Sequence, residues 1–362
     1  MLYSFHRTSR PLKASRTLPL ALAASRKHLT VHGSLGHYTG IVTLHGLARL
    51  AVGTKDREIR EEVLGLLGPF VRGEMEFPCN YPNYLCGGNA AAYLLWHGLL
   101  PEVEAAAKRY AEQILTEAPR DPDGIVCMPS APEAHKIWID SAFAVSPFLL
   151  FTGLAVGEDR YVEEAFQQTA KMVRVLKDPA NGLLHQSKNF RGRLPGNISE
   201  DHWSRGNGWG IYALAELACH LPAAHPRKAE AVEFFSQLCQ ACLAVQNDEG
   251  LWHQEMPESK SYVETSGSAL ILYAFGAGLE AGVLDASFRE PWKKGLSGLL
   301  RYISDDLDIY HTCRGCLCPG TGTPLEYMAV SPIVNDVHAF GPVVLAMGQA
   351  HLLGVTEVPL SQ

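Results

Sequence analysis

One kind of apolar segment occurs six times along this chain. Segments with small residues on one face and Leu, Ile or Phe on the other lie at 38–52 (YTGIVTLHGLARLAV), 87–100, 141–156, 205–221, 265–284 and 338–354. Their starts are about 50 to 73 residues apart, and each opens on a small or capping residue before a run with helical periodicity. A helix that is apolar all round is buried on every side. Amphipathic segments with charged faces alternate with these, at 17–29, 57–72, 101–117, 160–177, 226–246 and 287–303, and one has Glu102 and Glu104 in its first turn. Twelve helices alternating outer and inner predict an all-α fold, a closed (α/α)6 barrel, in which closure spares the terminal hairpins polar caps. Strand-like alternation is confined to short pieces, notably 182–186 (GLLHQ) and 250–254 (GLWHQ), read as equivalent small hairpins. The expected organisation is a candidate basic tail over residues 1–16 and a single domain over 17–362.

At 47% hydrophobic and 19% charged, the 362 residues can bury a large core, which excludes general disorder. No apolar run approaches the roughly 20 residues of a membrane span, so no membrane partner is expected. The net charge of −7 is unevenly spread: residues 1–55 carry eight Lys/Arg and no carboxylate, leaving 23 against 38 beyond them. A basic head suits a leader peptide, a nucleic-acid arm or the solvated face of a first helix. A leader would use Leu18–Ala24 as its apolar core, yet Arg26-Lys27 follows directly and cleavage would remove the first of twelve helices. Residues 17–29 are therefore assigned to the fold and the chain to the cytoplasm. The acidic remainder argues against nucleic acid. Nine cysteines are ordinary usage for a reducing compartment. Cys313, Cys316 and Cys318 cluster near His311 but lack the separated second pair of a zinc site, so a packed Gly-rich loop is expected, with no metal or other cofactor.

The loops leading into the inner helices hold the unusual residues, and in a ring they gather at one end around a central funnel. They include Asn80–Tyr84, His135–Asp140, His202–Trp209, Tyr262–Gly267 and Asn335–His338. Flat aromatic rings stack on the C–H faces of sugars while neighbouring polar groups take the hydroxyls. Arg205, Lys136 and the histidines also suit an anionic group, for which Arg favours bidentate contact. Taken singly, Asp140 also suits a helix N-cap, Glu264-Thr265-Ser266 a capping arrangement, and a Trp at a helix start a core position. Their coincidence at five of six inner-helix starts points to function.

The combination W-I-D (138–140), W-x-R-G-N-G-W (203–209), Y-V-E-T-S-G-S-A (262–269) and N-D-x-H (335–338) resembles the unsaturated rhamnogalacturonyl hydrolases of glycoside hydrolase family 105, relatives of the unsaturated glucuronyl hydrolases of family 88. The resemblance spans roughly residues 35–354 and implies an (α/α)6 barrel. It implies an oligosaccharide substrate whose non-reducing end is a 4,5-unsaturated uronic acid left by a polysaccharide lyase, as in pectin degradation. The family's acid/base aspartate falls on Asp140, which would protonate C4 while water adds at C5; the hemiketal then opens and expels the aglycone sugar. One carboxyl suffices, unlike the pair of an ordinary glycosidase. A hydrophobic setting beside Trp138 would keep Asp140 protonated.

Trp203, Arg205 and Trp209 match the sugar-contacting motif of that family and His185 its substrate-facing histidine, with His135 and Lys136 as candidates for the uronate carboxylate or the next subsite. Glu264, Thr265, Asp336 and His338 complete the expected substrate set. Asn83 stands where the family carries a second aspartate; asparagine can hold a hydroxyl or the water but brings no charge. His37-Tyr38-Thr39-Gly40 stands where Trp and Asn are usual. Competing readings are a two-carboxylate toroid glucuronidase pairing Asp140 with Glu264 or Asp336, and a sugar 2-epimerase drawing a histidine pair from His135, His185, His253 and His338. A polysaccharide lyase and a non-catalytic sugar-binding toroid complete the set.

Overall fold

The computed structural model describes residues 12, 14–74, 87–191 and 195–359. Within them the chain forms α1 (Thr17–His32), α2 (Tyr38–Thr54), α3 (Arg57–Val71), α4 (Gly88–Trp96), α5 (Glu104–Thr116), α6 (Asp140–Val156) and α7 (Asp159–Leu176). It continues through α8 (Ser204–His220), α9 (Lys228–Ala244), α10 (Thr265–Glu280), α11 (Arg289–Leu300), α12 (Pro324–Met328) and α13 (Phe340–Leu352). The apolar segments are the inner ring. Helix α2 packs on α4, α4 on α6, α6 on α8, α8 on α10, α10 on α13, and α13 returns to α2. The amphipathic helices α1, α3, α5, α7, α9 and α11 lie outside. Only α12, a short helix in the connection to α13, falls outside the expected alternation.

Burial follows composition. Every residue of α8 from Ser204 to Ala218 is buried, and every residue of α10 from Thr265 to Gly278. Outer helices bury a stripe, such as Tyr161, Ala165, Phe166, Thr169 and Val173 of α7. Asp56 stops α3 fraying by accepting from the backbone N–H groups of Glu58 at 2.8 Å and Ile59 at 3.1 Å. At the C-terminal ends of the inner helices, buried Arg49 of α2 donates to Gln349 of α13 at 2.9 Å and lies 3.7 Å from Glu216 of α8. The same network takes in Tyr273 of α10, whose hydroxyl donates to Glu216.

Small residues let the inner helices meet at the opposite end. A Cβ on Gly267 would lie 2.4 Å from the carbonyl carbon of Ser204 and 2.6 Å from the nitrogen of Arg205. Backbone cannot yield as a side chain does, so Gly267→Ala is expected to cost at least the ~1–3 kcal/mol of core overpacking. It would also push the first turn of α8 off α10. Urea denaturation checks this; a midpoint equal to the parent's would show that the two helices are not in contact here.

Short two-stranded ribbons brace the fold. β1 (Ala14–Arg16) pairs antiparallel with β6 (Glu357–Pro359), β2 (Ile137–Trp138) with β3 (Ser187–Lys188), and β4 (Thr312–Cys313) with β5 (Pro332–Ile333). Of the expected N-terminal tail, Ala14–Arg16 are thus held by the C-terminal segment, and the Leu12 N–H donates to the Ile303 carbonyl at 3.0 Å. The segments 182–186 and 250–254 make single bridges, Lys177 with Leu184 and His253 with Val263, rather than ladders. Side chains take the backbone groups instead: Leu184 N–H donates to Asn207 Oδ1 at 2.8 Å and Trp252 N–H to Ser268 Oγ at 3.0 Å. No helix among the described residues is long and apolar enough to cross a membrane.

Candidate active site

A cavity of about 310 Å³ opens where the N-terminal ends of inner helices converge. Tyr38 of α2 lines it, with Trp138 of β2, Asp140 and Phe143 of α6, Trp203 before α8, and Arg205 and Trp209 within α8. Cys316 and Leu317 enter from the β4–α12 connection and His338 from the turn before α13.

Asp140 is the first residue of α6 and does not cap it; Ile139 holds the N-cap position without a side-chain bond. Ile139 is pinned by its N–H, which donates to the Gln186 carbonyl at 2.9 Å. Asp140 Oδ2 is buried with no hydrogen-bond partner. Burial raises the carboxyl to about 7, against the opposing charge of Arg205 and the amides at the helix start. Asp140 is therefore half protonated near neutrality, the condition a general acid needs.

Arg205 is held rigidly. It donates to Ser266 Oγ at 3.0 Å and the Cys313 carbonyl at 2.7 Å, and its guanidinium lies 4.5 Å from the Trp203 ring centroid. Glu264, 3.7 Å away, supplies the countercharge. That carboxylate is also the N-cap of α10, accepting from Ser266 N at 3.1 Å and Gly267 N at 2.6 Å, and it accepts from Cys313 N at 2.9 Å and Ser204 Oγ at 3.1 Å. Glu264 therefore lies behind Arg205 and outside the cavity lining. Thr265 lies behind it too, donating to the Tyr310 carbonyl at 3.0 Å.

Across the cavity, Asp336 accepts from the backbone N–H of His338 at 3.0 Å and faces its Nδ1 at 2.5 Å. His338 Nε2 is hydrogen-bonded to the Tyr38 hydroxyl. Burial lowers His338 to about 4, helped by the Arg205 charge and opposed by Asp336. The network thus assigns a neutral imidazole that donates to Asp336 and accepts from Tyr38.

These shifts set a pH dependence. Activity that needs protonated Asp140 is expected to fall as pH rises through about 7, and to fall again near pH 4 as His338 gains a proton. Ionising Asp140 is harder in the folded chain than in the unfolded one, so its effect on stability turns unfavourable as pH climbs from about 4 to about 7. Asp140→Asn should raise the Tm at pH 8 and leave it unchanged below pH 4. Thermal melts at both values check this, and an equal shift at both would contradict a desolvated carboxyl.

Of the expected site residues, Trp138, Asp140, Trp203, Arg205, Trp209 and His338 share the cavity. Glu264 and Asp336 position Arg205 and His338 from behind, while Thr265 bonds the Tyr310 carbonyl away from the lining. His135, Lys136 and His185 are outside the lining: the His135 carbonyl accepts from Asn189 Nδ2 at 2.8 Å, Lys136 Nζ lies over the Phe190 ring, and His185 Nδ1 donates to the Asp201 carbonyl at 3.0 Å. Asn83 lies outside the described residues. Sequence reasoning missed Tyr38, Phe143 and the cysteine loop as cavity walls. Tyr38 is the first residue of α2 as Asp140 is of α6, which was its signal. It also missed Asp201, which accepts from the N–H groups of Gln186 at 3.1 Å and Trp203 at 3.0 Å, and so sets both flanks of the site.

A closed double ring of helices, with one carboxyl and a set of indoles lining the cavity at the inner-helix starts, defines a toroidal glycosidase architecture. The chain belongs to Glycosyl Hydrolase Family 88, whose family model matches residues 22–353. It is 26% identical over 287 residues to an unsaturated rhamnogalacturonyl hydrolase of Bacillus subtilis, covering 77% of this chain and 79% of that one. Among solved structures it resembles a family 105 glycoside hydrolase of C. acetobutylicum, with a TM-score of 0.78 at 21% identity over 91% of this chain and 98% of the other. It also resembles the unsaturated glucuronyl hydrolase of Bacillus sp. GL1, with a TM-score of 0.66 at 18% identity over 95% and 98%. These two likenesses show the shared fold.

Proposed function

We propose that the chain removes a 4,5-unsaturated uronic acid from the non-reducing end of lyase-generated oligosaccharides by adding water across the C4=C5 bond. One observation carries this reading: four cavity-lining residues each hold a buried polar atom without a hydrogen-bond partner. Three are donors, Trp203 Nε1, Arg205 Nε and Trp209 Nε1, and the fourth is Asp140 Oδ2. An unpaired buried polar group calls for an explanation, and on residues that wall a cavity a bound ligand supplies one. Three donors, one of them cationic, suit the carboxylate and hydroxyls of a uronate, while the indoles supply its stacking surface. A volume near the lower end of the roughly 300–1,000 Å³ of small-molecule sites suits a terminal sugar rather than a stretch of polymer.

In this scheme Asp140 delivers its proton to C4 and a water oxygen bonds to C5, with the carboxylate so formed taking the proton that the water sheds. The hemiketal opens to a C5 ketone, and the hemiacetal left at C1 releases the aglycone. Tyr38 and His338 hold a substrate hydroxyl or the water from the opposite wall. Among the described residues Asp140 is the one carboxyl in the lining, which favours this chemistry over a two-carboxylate glucuronidase. Only His338 among the described histidines lines the cavity, against the pair an epimerase needs. The seven cysteines of the described residues are all free, and we place the reaction in the cytoplasm on that ground.

Unsaturated disaccharides from pectin, ulvan and glycosaminoglycan lyase digests provide the test, followed by the ultraviolet absorbance of the conjugated double bond. Decay on at least one of them is expected. A rise on intact polymer would indicate a lyase, and no change on any disaccharide would overturn the proposal.

A further inference from the structure

The connection between α7 and α8 carries a cluster that the cavity does not use. Asp178 and His185 lie on it, and His202 immediately precedes Trp203. Each of the three offers one ligand atom, and those atoms lie within 4.8 Å of one another. His202 Nε2 is 2.9 Å from Asp178 Oδ2 while its Nδ1 is 3.5 Å from Glu255 Oε1, so both ring nitrogens face carboxylates. Asn181 Nδ2 lies 3.1 Å from both His202 Nε2 and Asp178 Oδ2. The His202–Asp178 contact is filled either by the proton of His202 Nε2 or by a metal ion. His185 separates the two cases. Its Nδ1 donates to the Asp201 carbonyl at 3.0 Å, which leaves Nε2 as an acceptor, and its ring stands 5.0 Å from that of His202. A proton on His202 engages Asp178 alone, whereas a metal ion would also take the nearby His185 nitrogen.

We propose that Asp178, His185 and His202 bind a divalent ion of the zinc class, with the Glu255 carboxylate and the Asp201 carbonyl orienting the two imidazoles. Metal-bound histidines characteristically donate their other N–H to a carboxylate or backbone carbonyl, and here each ring has one such acceptor. Two nitrogens and one carboxylate oxygen suit borderline ions and not calcium or magnesium, which take all-oxygen sets. Bond lengths of about 2.0–2.2 Å would draw the ligand atoms closer than their present spread, a closure that rotation of half-buried side chains supplies. The ion would tie the α7–α8 connection to the residue before Trp203, whose indole walls the cavity and supports Arg205. Its role is positioning, and no step of the proposed reaction runs through it.

The experiment titrates chelator-treated full-length protein with Zn²⁺ by calorimetry and with Co²⁺ by visible spectroscopy. Expected are one equivalent bound, a rise in Tm, and Co²⁺ bands of a nitrogen–oxygen site without thiolate charge transfer. His202→Ala and His185→Ala should each weaken binding at least about a hundredfold, and Glu255→Gln about tenfold. Absence of stoichiometric binding by the folded parent would overturn the proposal. So would a thiolate signature, which moves the ion to a cysteine, or parent-like affinity in folded His185→Ala. The Co²⁺ spectrum of the parent decides the matter even where a variant fails to fold.

Discussion

Asp140→Asn is expected to lower kcat by about 10²–10⁴-fold, the range that removal of a general acid produces. Asparagine preserves volume and hydrogen-bonding capacity, so KM should change little and the ring should stay folded. The loss falls on kcat because the proton of Asp140 is needed only when C4 is attacked. What makes this aspartate suitable is its surroundings: the carboxyl sits at a helix start, where backbone amides and Arg205 favour ionisation, yet burial outweighs them and keeps it near 7. Steady-state kinetics on the best lyase-derived disaccharide check the prediction. A variant that retains parental kcat would remove Asp140 from the acid role.

Arg205→Met should be the most damaging change to stability. Arg205 and Glu264 are 1% and 0% exposed, so removing the guanidinium leaves a buried carboxylate without its countercharge. Breaking such a pair costs about 3–5 kcal/mol. The Cys313 carbonyl and Ser266 hydroxyl lose their donor as well, so the cysteine loop that walls the cavity should loosen. Arg205→Lys keeps the charge but cannot at once reach Ser266 and the Cys313 carbonyl and lie over Trp203, so it should fall between Met and the parent. Urea midpoints measure both, and a Met variant within 1 kcal/mol of the parent would show that the pair is not a stabilising unit.

The ring was legible because its inner helices are apolar on all faces and its outer helices on one, a contrast visible in any single hairpin. Helix α12 was not legible, since five residues are too few for periodicity; a capping box between Thr323 and Glu326 sets it instead. The starts of α6 and α8 pointed to Asp140 and Arg205 because each of these residues lies in the first turn of its own helix. The remaining walls depend on long-range contacts. Gln186 donates to the Cys316 carbonyl at 2.7 Å and accepts from the Cys318 N–H at 2.9 Å, joining segments 130 and 132 residues apart. Tyr38 meets His338 across 300 residues. No local pattern encodes such pairs. Glu264 shows the converse: its motif was plain, but the same carboxylate suits a sugar contact and a helix cap, and only the three-dimensional arrangement shows it capping α10 and balancing Arg205.

The central claim is that cleavage begins at the double bond and not at C1. Incubating the protein with an unsaturated uronyl disaccharide in D₂O, followed by proton NMR, tests it most directly. The account predicts that the olefinic C4 proton signal disappears in step with release of the aglycone sugar, with solvent deuterium added at C4, and that Asp140→Asn abolishes both changes. Aglycone released with the olefinic signal intact, or deuterium incorporated at the parental rate by Asp140→Asn, would contradict it.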